Sequence, residues 1–134
     1  QQLYKDVFSI LTTKEFITLF NIGKPYSAND SLILKQGEHT DLLFVIVSGC
    51  ATVQKNASKP IQLKSGAFLG EMRFLTGDVI SADIKASGEV LCHVWSKSNL
   101  KKIEAEYPII YTKLQQVIGK DLVYKLRHHT TAAL

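Results

Sequence analysis

The residues of this sequence whose types and spacing could do chemistry together lie in Gly66-Ala67-Phe68-Leu69-Gly70-Glu71-Met72-Arg73-Phe74-Leu75-Thr76-Gly77, followed by Asp78-Val79-Ile80-Ser81-Ala82. That chemistry is anion capture. Met72, Phe74 and Leu75 can bury one side of a single helical turn, while Gly70 lets the backbone approach a ligand with no side chain in the way. A helix opening there aims backbone N–H groups that lack intrahelical partners at whatever lies in front, and its dipole adds partial positive charge, a combination suited to phosphate. Glu71, in the first turn, is placed to accept hydrogen bonds from a sugar hydroxyl. The alternative is a tight turn carrying a surface glutamate. A buried helix start needs an anionic cap, and the chain supplies none ahead of Glu71, which favours a ligand.

Other reactive side chains do not assemble into a site. His39, His93, His128 and His129 share no metal-binding spacing, so each is read as a solvated or core residue and no metal is expected. Cys50 and Cys92 lack the Cys-x-x-Cys pairing of zinc or redox sites and read as buried strand thiols. No Ser, His and Asp set carries a glycine elbow, so no catalytic residue is assigned and an enzyme is not expected. Lys97, Lys101 and Lys102 form a basic patch on one exposed face, read as solvated, with anionic lipid contact the next reading.

Positioning the central stretch is the task of the surrounding elements. Residues 1–23 read as helical, with Thr12 or Thr13 as N-cap, Phe16, Leu19 and Phe20 on one face, and Gly23 as the stop. From 24 to 95 short strands follow at 31–34, 42–47, 51–55, 61–63, 82–86 and 90–95, broken by Gly, Asn, Asp and Ser. Such a series predicts a β-sandwich or jelly-roll barrel. Helices then occupy 96–128: a short one capped by Ser96 or Ser98 and a longer one opened by Pro108. Ile110, Leu114, Val117, Ile118, Leu122 and Leu126 give the longer helix an apolar stripe broad enough for the barrel and a second partner. Residues 129–134 read as a tail. The fold class is therefore mainly β with flanking helices: a jelly-roll barrel with an N-terminal helix and a C-terminal helical lid.

With 134 residues, 46% hydrophobic and 21% charged, the chain fits one globular domain and not a disordered segment. Its longest apolar run, residues 42–47, falls far short of the roughly twenty that a membrane span needs. A net charge of +4 permits an anionic ligand, lipid surface or nucleic acid without selecting among them. No helix-turn-helix pattern appears, so nucleic acid is not an expected partner of this fragment. The sequence begins Gln1-Gln2 without Met and reads as a piece of a longer protein.

Gly37 at the end of Ser31-Leu32-Ile33-Leu34-Lys35-Gln36-Gly37-Glu38, Gly49 at the end of Leu43-Phe44-Val45-Ile46-Val47-Ser48-Gly49, and Gly66 and Gly70 of Gly66-x-Phe68-x-Gly70-Glu71 resemble, in order, the glycine landmarks of cyclic nucleotide-binding domains. The resemblance covers nearly the whole chain and implies a β-roll with a phosphate-binding cassette at 68–82 and a C-terminal helix closing over the base. It implies ligand contacts from Phe68, Leu69, Gly70, Glu71, Met72, Arg73, Ile80, Ser81 and Ala82, with cAMP or cGMP as the ligand and no cofactor. Gly70 and the following amides would face the phosphate, Glu71 the ribose 2′-hydroxyl, and Ser81 the phosphate or base. Ile80 stands where the family usually places a phosphate-pairing arginine. Charge-assisted hydrogen bonds net roughly 1.5–3 kcal/mol, so this exchange weakens binding by about ten- to a few hundred-fold. Arg73 is the candidate substitute cation, with Lys85 next.

Leu3-Tyr4-x-Asp6-Val7-Phe8, Ile118-Gly119-Lys120-Asp121-Leu122 and Lys125-Leu126 resemble the flanks of the Popeye domain, a cyclic nucleotide-binding relative found in membrane-anchored proteins. That family also lacks the cassette arginine, but its Phe-Leu leads into an acidic Ser-Pro-Glu, where here Phe68-Leu69 leads into Gly70-Glu71-Met72. This resemblance implies a cytoplasmic domain of a membrane-anchored protein, the anchor lying outside residues 1–134. The combined expectation is a regulatory sensor that homodimerises through its C-terminal helix. A degenerate, non-binding scaffold and the sensor half of a transcription regulator are the alternatives.

Overall fold

A computed structural model of the protein describes residues 2–128. Five helices and six strands make up the described residues. α1 (Gln2–Asp6) and α2 (Thr13–Ile22) replace the single helical segment expected over 1–23. The break falls before Thr12, whose side chain caps α2 by accepting from the Glu15 amide while Glu15 returns a bond to the Thr12 amide. A cap of this kind forces extended backbone at Thr12 and ends any helix arriving from upstream.

The strands are β1 (Lys24–Asn29), β2 (Leu32–Leu34), β3 (Leu43–Gln54), β4 (Ile61–Leu63), β5 (Phe68–Leu69) and β6 (Asp83–Trp95), all joined in one antiparallel sheet. β3 and β6 pair along nearly their full length, from Leu43 opposite Trp95 to Gln54 opposite Asp83. At one end β1 flanks β6 and β5 flanks β3; at the other, β2 flanks β6 and β4 flanks β3. The roll is therefore two four-stranded halves sharing two long strands. The sequence predicts four short strands in place of these two, because Gly49 and Gly88 look like breaks. Instead the register slips around Ser48 and Cys50, and β3 bends there without ending. Gly49 makes this possible: at φ +93° a Cβ would lie 2.5 Å from the Glu89 carbonyl oxygen.

Alternating side chains of the long strands feed two cores. Phe44, Ile46, Ala51, Val53, Ile84, Ala86, Val90, Cys92 and Val94 line the roll interior. Leu43, Val45 and Trp95 point the other way, into a helical core with Phe8, Leu19, Ile103, Leu114 and Ile118. β5 joins the two, because Phe68 faces the helical core and Leu69 the interior. Cys92 is buried, which pushes its thiol up to about 11, whereas Cys50 is only half-buried, contrary to the sequence reading.

After β6, Ser96 caps α4 (Lys97–Glu106), and Pro108 opens α5 (Pro108–His128). Ile110, Leu114, Val117 and Ile118 are buried as the stripe predicts. Beyond them the buried face continues through Lys125, not Leu126, which is 51% exposed. His39 is exposed, and His93 meets the Phe20 carbonyl at 2.7 Å, where burial lowers its pKa. The side chains of His128 and His129, like the predicted tail 129–134, lie outside the described residues.

Candidate functional site

The cassette begins where β5 ends. Gly70 takes the left-handed conformation (φ +83°) and caps the short helix α3 (Glu71–Thr76). Its lack of a side chain answers to the protein itself: a Cβ would sit 2.6 Å from the Leu42 carbonyl oxygen. Gly77, also left-handed, ends the helix. The far end of the cassette is pinned by a two-bond ladder, with the Gly37 amide donating to the Ile80 carbonyl (2.8 Å) and the Ile80 amide donating to the Glu38 carbonyl (3.0 Å). The four glycines singled out in the sequence, Gly37, Gly49, Gly66 and Gly70, all have positive φ.

Glu71 is fully buried. One of its carboxylate oxygens is held by the Lys125 ammonium, and the other, Oε1, has no hydrogen-bond partner among the described residues. Lys125 is buried as well and reaches from α5 to donate to the Phe68 carbonyl (2.6 Å), while Asp121, one turn earlier, pairs with it at 2.8 Å. The Phe68 amide in turn donates to Asp121 Oδ2 at 3.4 Å. Two carboxylates thus share one ammonium out of water. Burial raises the pKa of Glu71 and of Asp121, outweighing the attraction of Lys125, and for Glu71 the neighbouring Asp121 charge acts in the same direction.

The remaining predicted site residues separate around this cluster. Phe68 and Leu69 are fully buried, in different cores. Met72 is half-buried. Ile80 and Ala82 are fully buried within the roll interior, and Ser81 is half-buried between them. Position 80 thus presents an aliphatic side chain and no charge. Arg73 is turned away from Glu71: its Nε pairs with Asp41 at 2.8 Å and its Nη1 donates to the Gly77 carbonyl at 2.5 Å. Lys85 is exposed, on β6.

The reading of residues 66–82 missed Lys125 and Asp121. The signal lay in the spacing of Leu114, Ile118, Asp121 and Lys125, which keeps charged residues on the buried face of α5. Among the described residues no group of three or more His, Cys, Asp or Glu is arranged for a metal ion, and no helix is long and apolar enough to cross a membrane.

This architecture is shared with solved structures. A cyclic nucleotide-binding domain from Methylobacillus flagellatus superposes with a TM-score of 0.81 at 25% identity, covering 87% of this chain and 69% of that one. The Thermus thermophilus catabolite activator protein superposes with a TM-score of 0.73 at 16% identity, over 95% of this chain and 61% of that one, a likeness of fold alone. In sequence, 60 residues are 40% identical to a cyclic nucleotide-gated potassium channel of Rhizobium etli; the match spans 45% of this chain and 17% of the channel. The Popeye-like flanks, residues 3–8 and 118–126, lie outside the segment that matches a known family. Residues 24–107 match the cyclic nucleotide-binding domain, and the chain belongs to that family.

Proposed function

We propose that this domain is a non-catalytic sensor of cAMP or cGMP in which the ribose contact and the lid share one carboxylate. The observation that carries this reading is Glu71: buried at the cassette start, with Oε1 unpartnered and its other oxygen held by Lys125 of α5. A buried polar atom left unsatisfied costs about 1–3 kcal/mol, so a ligand hydroxyl donating to Oε1 recovers that energy. Because the same carboxylate holds α5, a ligand that redistributes its charge changes the grip on the helix. Differential affinity for two positions of α5 is what a sensor requires. A cavity of about 620 Å³ bordered by Asp6 and Val7, the β4–β5 turn and α5 meets the cluster at Asp121 and Lys125, although neither Glu71 nor any other residue of 68–82 lines it.

Calorimetric titration with cAMP and with cGMP tests the proposal. Saturable heat, weakened at least tenfold by Glu71→Gln, is the expected outcome; no heat and no thermal shift at millimolar ligand overturns it. A non-binding scaffold is the second reading, favoured by the uncharged, fully buried Ile80.

The output surface is the end of α5, where Val123 and Leu126 are about half exposed. A homodimer through this helix follows from an apolar surface larger than one barrel contact needs. Sedimentation showing a monomer at high micromolar concentration removes that part. The channel relative carries its nucleotide gating in its name, and a membrane-anchored, cytoplasm-facing sensor is the setting proposed for this domain.

A further inference from the structure

A second cavity opens beside α3, lined there by Gly70, Arg73 and Phe74. It holds about 250 Å³ and lies between α3, the lead-in to β3, α4 and the first turn of α5. Its apolar wall is formed by Leu43, Leu100, Phe74 and Tyr111, the two rings meeting edge-on at 6.0 Å between centroids. Lys97 and Lys101, one turn apart on α4, stand at its rim, and neither ammonium has a hydrogen-bond or ion-pair partner among the described residues. Arg73 completes the cationic edge, held in place by Asp41 and the Gly77 carbonyl.

The charges of the lining decide the ligand class. Lys97, Lys101 and Arg73 carry three positive charges against the two negative charges of Asp41 and Glu104. Asp41 is already neutralised by Arg73, which leaves the two lysines against Glu104, a net charge of +1. An apolar wall with aromatic rings, edged by two unpaired ammonium groups, suits a flat apolar body carrying one anionic group. A cavity of roughly 150 Å³ takes up benzene, so about ten non-hydrogen atoms fit inside this one.

We propose that this cavity, which borders the nucleotide cassette at Gly70 and Arg73, is a ligand site for an aromatic monoanion of about ten non-hydrogen atoms, with its ring against Phe74 and Tyr111 and its anion at Lys97 and Lys101. The proposal goes beyond the sensor reading: Glu71 does not line this cavity, so Glu71→Gln should leave phenylacetate affinity unchanged.

Phenylacetate is the probe, with 2-phenylethanol as its uncharged counterpart, each titrated into the domain and followed by NMR. The expected result is saturable, sub-millimolar binding of phenylacetate, with the largest shifts at Phe74, Leu100 and Tyr111, in line with the affinity a ligand of that size reaches. Lys97→Ala/Lys101→Ala, which alters only exposed side chains, weakens phenylacetate at least tenfold and leaves 2-phenylethanol unchanged. No saturable shift at 10 mM phenylacetate, equal affinity for the alcohol, or indifference to the double substitution would each overturn the site.

Discussion

Glu71 and Arg73 stand two positions apart on one short helix, yet they live in opposite environments. About 200° of helical turn separates them, so one side chain enters the protein and the other leaves it. Glu71 is fully buried and tied to a helix 54 residues away in sequence; Arg73 is partly exposed and tied to Asp41 and its own helix end. The cassette is therefore two-faced. The contrast also separates kinds of charge: a buried ion cluster is sensitive to the loss of any member, while a solvated pair contributes little.

The largest effect is expected from breaking the buried side. Lys125→Ala strands two carboxylates without a counter-charge and should destabilise the domain by about 3–5 kcal/mol in urea denaturation. Replacing the whole cluster, as Glu71→Gln/Asp121→Asn/Lys125→Met, should recover most of that loss, since the cost lies in the unpaired charge. If Lys125→Ala is neutral, the cluster does not hold α5. Next in size is Gly70→Ala, which sets a side chain against the Leu42 carbonyl in a left-handed conformation and should cost about 2 kcal/mol or more. On the solvated side, Arg73→Ala should cost less than about 1 kcal/mol and leave cAMP affinity within about twofold, because its guanidinium faces Asp41. A large loss of affinity would restore Arg73 as the substitute for the missing cassette arginine.

The smallest expected effect concerns pH. Burial raises Glu71 and Asp121 in the folded state, so the folded domain keeps these protons to higher pH than the unfolded chain does. Their contribution to stability is thus greatest in acid and is lost as pH rises through the folded pKa values. Glu71→Gln should flatten that part of the stability profile. Thermal melts of both proteins at several pH values read the difference; parallel profiles would place Glu71 in a solvent-like environment.

Much of this arrangement was legible in the chain, and the omissions have local causes. Ser96, Pro108 and Thr12 announce helix starts through capping and ring chemistry that act within a few residues. β1 carries no strand signal in the sequence because Lys24-Pro25-Tyr26 has few strand-forming residues; it lies at the edge of its half of the roll, beside β6, where a proline is tolerated. β5 is two residues long and carries no period at all. The bends in β3 and β6 read as breaks in the sequence because glycine signals both, and only pairing with another strand distinguishes them. At the site, Gly70-Glu71 stood out as a pair and Ile80 as a departure, but the direction in which Glu71 points is set by Lys125, a long-range partner that no spacing within the cassette encodes.

One bond in that cluster has a consequence for how the domain tolerates change. Lys125 grips position 68 by its main-chain oxygen, an acceptor that every amino acid offers. Substitution of the phenylalanine there alters the packing around it without erasing the fastening, whereas position 125 admits no such latitude. Drift across a lineage should therefore fall unevenly on the two ends of this clasp, sparing the cationic end.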